Sequence, residues 1–103
     1  MTLREIKALV TSTDPDAKHY TVATNGANFT RWQEYEYIGQ PADDEYGDGW
    51  KFQIDRFTHD EFDAIAETIK ETLKHTPGVA FGYMVDYEQE SDYIHHIFSC
   101  EAP

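Results

Sequence analysis

Trp50, Phe52 and Ile54 alternate with Lys51, Gln53 and Asp55, and this period of two is the tightest constraint in the chain. Successive side chains on a strand point to opposite faces, so the run predicts a strand with one buried face. Val79, Phe81, Tyr83, Val85 and Tyr87 repeat the pattern, as do Ile94, His96, Phe98 and Cys100. Between the first two runs the period changes. Phe62, Ile65, Ala66, Ile69 and Leu73 recur at helical spacing, and Thr58-His59-Asp60-Glu61 before them has the capping-box form of a hydroxyl at N-cap and a carboxylate at N3. Pro77-Gly78 ends that predicted helix.

The first third of the chain obeys the same two rules. Leu3, Ile6, Leu9 and Val10 fall on one helical face, with Thr2 as N-cap and Asp14-Pro15 as the stop. Residues 17–20 and 29–38 are aromatic and β-rich, and Asn25-Gly26 between them is a tight-turn signal, which predicts a hairpin. Residues 39–49 hold Pro41, Gly47 and the acids Asp43, Asp44, Glu45 and Asp48, a composition suited to an exposed loop. Residues 88–92 form a polar turn before the last strand, which is expected at a sheet edge. The order α-β-β-α-β-β, with strand pairs joined too closely for parallel crossovers, predicts an α+β fold: a small antiparallel sheet with helices packed on one face, a two-layer sandwich. At 103 residues one core is the economical expectation, so residues 1–103 are read as a single domain.

Charge narrows the classes of partner. Twenty acids against eight bases give a formal net charge of −12, the opposite of what phosphate backbones or anionic membranes attract, so neither nucleic acid nor membrane is an expected partner. No Lys or Arg follows Lys74, whereas Asp86, Glu88, Glu90, Asp92 and Glu101 do. One surface should therefore be electronegative, either for solubility or to meet a basic partner or neighbouring subunit. Cys100 is the only cysteine, which rules out an intramolecular disulfide and favours a reducing compartment. The N-terminus carries Arg4, Glu5 and Lys7 within its only apolar stretch, so no secretory signal is expected, and no run reaches the about 18 apolar residues of a bilayer span.

The candidate chemistry is sparse. His95 and His96, with Asp92 nearby, are metal-ligand types, but adjacent residues on a strand point apart and cannot share one ion. Asp44, Asp48, Gly49 and Asp55 partly match a calcium-loop register that lacks its flanking helices. His59, Asp60, Asp63 and Glu67 could supply acid-base groups; as helix chemistry, the acids favour the dipole of a first turn, and Asp63 and Glu67 make a solvated stripe. No Gly-rich phosphate loop, HExxH helix or GxSxG elbow occurs. No catalytic, cofactor-binding or metal residue is assigned. The aromatic surplus points instead to contact with protein, since Tyr is favoured in interfaces. Tyr35, Tyr37, Asp43, Asp44, Glu45, Tyr46, Asp48, Tyr87 and Glu88 are the candidate interface residues.

The strand Trp50-Lys51-Phe52-Gln53-Ile54-Asp55-Arg56-Phe57, the helical stretch after it, and the ending Val85-Asp86-Tyr87-Glu88 with Tyr93-Ile94-His95-His96-Ile97-Phe98 together resemble the tail completion or tail terminator (head-tail joining) family of long-tailed bacteriophages and prophages. The resemblance rests on the order and spacing of these short motifs over residues 29–98. It implies a small α+β structural subunit, not an enzyme and without cofactor, that forms a homo-oligomeric ring, commonly a hexamer, at the head-proximal end of the tail tube. Such a ring stops tube polymerisation and docks to the head connector, so tail-tube protein and connector proteins are the implied partners. The virion tail is the implied location, after assembly in the host cytoplasm. Lys7, Lys18 and Arg31 are the bases that could meet a neighbour's acidic loop or C-terminal hairpin. A second reading of the acidity is an inhibitory protein-binding module that mimics nucleic acid.

Overall fold

The computed structural model describes residues 1–39 and 49–103. Helix α1 (Leu3–Thr13) is followed by strands β1 (Lys18–His19), β2 (Phe29–Ile38) and β3 (Gly49–Thr58), helix α2 (Ala64–Lys74), and strands β4 (Ala80–Glu88) and β5 (Tyr93–Ala102). The strands form one sheet in the order β1-β2-β3-β5-β4. All neighbours are antiparallel except β1, which pairs parallel to β2 through Lys18 opposite Arg31 and His19 opposite Trp32. The fold is the expected α+β sandwich, with the parallel β1 making its sheet mixed.

Both helices lie on one face of the sheet, here called the helix face. Ile6 and Val10 of α1 and Ile69 and Leu73 of α2 close on Trp32, Phe52, Ile54, Phe98, Cys100 and Ala102. These strand residues are the alternate positions that the sequence marks as apolar, so burial follows the period of two. Helix α1 starts as its sequence predicts: Thr2 accepts from the Glu5 N–H and Glu5 accepts from the Thr2 N–H, a complete capping box.

The structure departs from four expectations. Residues 17–20 do not fold back on β2 as a hairpin; the chain through Asn25-Gly26 returns in the same direction, and β1 is held by stacking. The His19 ring lies 3.8 Å from both Tyr20 and Trp32, and its Nε2 is 2.6 Å from Glu34 Oε2. The last strand is not an edge, because β5 is inserted between β3 and β4, leaving β4 at the edge with no partner on its outer side among the described strands. Thr58 does not cap α2. It ends β3, accepts from the Asp60 N–H at 3.0 Å in a tight turn, and the helix begins five residues later on Asp63, whose carboxylate accepts from the Ala66 N–H at 2.8 Å. Phe62, placed by spacing on the buried helix face, lies before the helix and is 89% exposed.

Candidate assembly surfaces

Among the described residues the face of the sheet opposite the helices carries no second layer, yet Asp55 at its centre is wholly buried. Its neighbours provide the cover. Arg31 on β2 donates from Nε and Nη2 to Oδ2 at 3.3 and 3.2 Å, Gln53 donates to Oδ1 at 2.8 Å, and His95 Nε2 on β5 lies 2.7 Å from the same Oδ1. Burial works against the charge on Asp55, but the His95 and Gln53 hydrogen bonds and the Arg31 charge outweigh it and hold the carboxyl below its ordinary range. Phe57 extends the patch: His95 stacks on it at 4.0 Å, Phe29 at 4.6 Å, and the Arg31 guanidinium lies 5.8 Å from its centroid. The centre of this open face is thus closed over by its own side chains. Asp55 is already engaged and is not a loop ligand, and Arg31 is spent within its own subunit and is not a free base for a neighbour.

At the end of the sheet where β3 finishes, a clasp joins two turns to the strand. Both ring nitrogens of His59 are 2.8 Å from backbone carbonyl oxygens, Nδ1 from Asp92 and Nε2 from Gly26. Carbonyls only accept, so the imidazolium satisfies both contacts where a neutral ring satisfies one. The two carbonyls, aided by the Asp92 and Asp60 carboxylates, raise the His59 pKa above its ordinary value. Tyr93 stacks on His59 at 4.3 Å and donates to Ala27 O at 2.7 Å, while Asn28 accepts from the His59 N–H and donates to Asp60. These residues staple the Gly26 and Asp92 turns; both turns contain a positive-φ residue, Gly26 at 76° and Asp92 at 60°.

Inside the sandwich, Arg56 leaves β3 on the helix face and meets Asp63 from Nε at 2.9 Å and Nη2 at 3.2 Å, Thr30 at 3.3 Å and Asp14 at 3.6 Å. All four residues are buried. Burial opposes the Asp63 charge, and the hydrogen bonds from Arg56 and from the Ala66 N–H lower its pKa nonetheless. Asp63 is therefore neither an exposed acid-base group nor part of a solvated stripe with Glu67. His96 also faces inward, with Nδ1 2.7 Å from the Tyr83 hydroxyl and Nε2 buried without a partner, and burial lowers its pKa. His95 and His96 lie on opposite faces as strand geometry requires, and among the described residues no cluster of three His, Cys, Asp or Glu side chains is arranged to hold a metal ion.

The expected interface residues are dispersed. Tyr35 lies on the open face beside a shallow depression of about 330 Å³ lined also by Lys51, Ala80, Gly82, Ser99 and Glu101. Tyr37 packs edge-on against Trp50 at 5.1 Å on the helix face, at the end of the sheet remote from Tyr87. Tyr87 is on edge strand β4, where its hydroxyl donates to Asp92, and Glu88 closes that strand 3.4 Å from His95 Nδ1. Asp43, Asp44, Glu45, Tyr46 and Asp48 lie outside the described residues. Sequence reasoning missed the largest exposed apolar groups of this edge, Met84 at 66% and Val85 at 53%, together with Phe62. Val85 shares the β4 alternation, a pattern that by itself marks a buried face.

This architecture has a solved counterpart. The chain is similar to a chain in the virion of a native gene transfer agent particle, with a TM-score of 0.50 and 16% identity, over 97% of this chain and 86% of that one. At that identity the likeness is one of fold. No protein-family model matches the sequence, and no curated protein does. Helices on one sheet face, an opposite face covered at its centre by its own side chains, and an edge strand unpaired on its outer side among the described strands are what the fold offers to other chains.

Proposed function

We propose that this protein is a structural subunit of a phage-like particle, which forms a ring at the head-proximal end of the tail tube, ends tube polymerisation and docks to the head connector. The observation that carries the reading is the fold it has in common with a gene transfer agent virion chain over nearly its whole length. The resemblance of Trp50–Phe57 and of the β4 and β5 motifs to tail terminators supports the same choice. The buried polar groups are consistent with it as well: Asp55, Arg56 and Asp63 are engaged in internal pairs that brace the sandwich, His95 bonds to Asp55, and the reading assigns the chain no reaction.

Native mass spectrometry and negative-stain imaging of the purified protein, alone and with tail-tube subunits, test the proposal. A ring, and tubes that stop growing when it is added, are expected. A protein that stays monomeric at high concentration and leaves tube growth unchanged would overturn it. A monomer that competes with DNA for a basic cleft would support the nucleic-acid mimic instead.

A further inference from the structure

Strand β4 is an edge of the sheet with no partner on its outer side among the described strands, and Asp86 and Glu88 near its end are its only charged residues. It runs in continuous register with β5 from Ala80 opposite Glu101 to Glu88 opposite Tyr93, and it contains neither Lys nor Pro. A straight edge with free N–H and C=O groups is a template for another strand. Its apolar side chains also lack cover: α2 reaches Tyr83, with Lys70 Nζ 5.5 Å from that ring, but Val85 and Tyr87 further along the same face are 53% and 54% exposed.

We infer that the occupant is a second copy of this chain, paired β4 to β4, antiparallel, about a two-fold axis at Met84. Met84 is the midpoint of Ala80–Glu88, so this register uses the whole strand. Opposed residues then share a face: Tyr83 meets Val85, Phe81 meets Tyr87, and Met84 meets itself. The exposed Val85 and Tyr87 of one copy thereby lie across from the half-buried Tyr83 and Phe81 of the other. The acids also fit. Asp86 opposes Gly82, which has no side chain, and Glu88 opposes Ala80. The two Asp86 residues are four positions apart, roughly 13 Å by strand rise, beyond the Debye length of about 10 Å at 0.1 M salt. A shift of the axis to Asp86 would set two carboxylates face to face, and a shift to Gly82 would leave Val85 and Tyr87 uncovered. The strand is self-complementary in the Met84 register, which is the requirement for an isologous contact.

Cross-linking by register tests this contact. Opposed residues in antiparallel strands have Cα atoms about 4.5–5.5 Å apart, within disulfide reach. With a mild oxidant, Met84→Cys is expected to form a covalent dimer at least about tenfold faster than Asp86→Cys, and the Gly82→Cys/Asp86→Cys double variant is expected to cross-link where Asp86→Cys alone does not. Cys100 is buried and does not compete. Far-UV circular dichroism checks that each variant is folded, and native mass of the unmodified protein should show an even-numbered species. A folded Met84→Cys protein that resists cross-linking, or an Asp86→Cys protein that cross-links as fast, overturns the pairing. The outcome is separable from the ring: rings without the Met84 cross-link remove the edge contact alone, and cross-linked dimers that never arrest tube growth remove the tail reading alone.

Discussion

Two histidines and two aspartates of this protein owe their states to neighbours that no local pattern could supply. The Asp92 and Gly26 carbonyls beside the His59 ring raise its folded pKa, so its contribution to stability is full below the unfolded value of about 6.5 and is lost as pH rises through the folded value. His96 has the opposite sign. Burial lowers its pKa, so its contribution is present above about 6.5 and is lost as pH falls through the folded value. NMR titration of the ring protons should therefore place the two histidines on opposite sides of the ordinary value, and His59→Ala should flatten the stability loss on the alkaline side; equal titration midpoints would refute both assignments. Asp55 and Asp63 are held low, so their contributions are present above the ordinary carboxyl range and vanish in acid. Asp63 both caps α2 and pairs with a buried guanidinium. Asp63→Ala is expected to cost about 3–5 kcal/mol by urea denaturation, as breaking a buried pair does, and more than Asp14→Ala, whose contact with Arg56 is longer. Equal losses at the two positions would show that Arg56 does not depend chiefly on Asp63.

At the scale of elements, the passage from β3 to α2 shows how one turn replaces another. Thr58 uses its hydroxyl on the Asp60 N–H and also lies 3.3 Å from Asp63, so the strand end and the helix cap are one hydrogen-bonded unit. Thr58→Val should destabilise the protein by roughly 1–3 kcal/mol, because it leaves buried polar partners unpaired. Phe62 lies in the same turn and points to solvent, so Phe62→Ser should change the denaturation midpoint by no more than about 0.5 kcal/mol. A loss several times larger would mean that the ring is packed after all. Strand β5, in the middle of the sheet, gives a third check. Its Cys100 thiol is buried and its pKa is pushed up to about 12, so a thiol reagent should label it only as the protein unfolds. Fast labelling of the native protein would contradict the burial.

For the whole molecule, a net charge of −12 means that copies repel one another before any contact forms. The β4 pairing brings no opposite charges together, so dimerisation should strengthen when salt is raised from about 10 to 150 mM, over which the Debye length shrinks from about 30 to 8 Å. Light scattering across that range checks the prediction, and association that weakens with salt would point to ion pairs at the contact instead. Lys7 and Lys18 remain exposed and could make such pairs, whereas Arg31 is committed to Asp55.

Local periodicity by itself determined most of the architecture: the two helical faces, the alternating runs of β2 to β5, and the Thr2 cap are short-range matters of side-chain direction and hydrogen bonding within a turn. Tertiary structure decided the rest. Whether Val85 and Tyr87 are covered depends on how far α2 extends over the sheet, which alternation does not encode, and so a pattern of burial became an exposed edge. Strand order is set by which strand inserts beside β3, and this placed β5 inside and β4 outside. Asp63 and Phe62 exchanged their expected environments because Arg56, seven residues away in sequence, needed a buried carboxylate at the helix start. The Asp55 cluster draws on three strands, and only their register brings Arg31, Gln53 and His95 to one carboxylate.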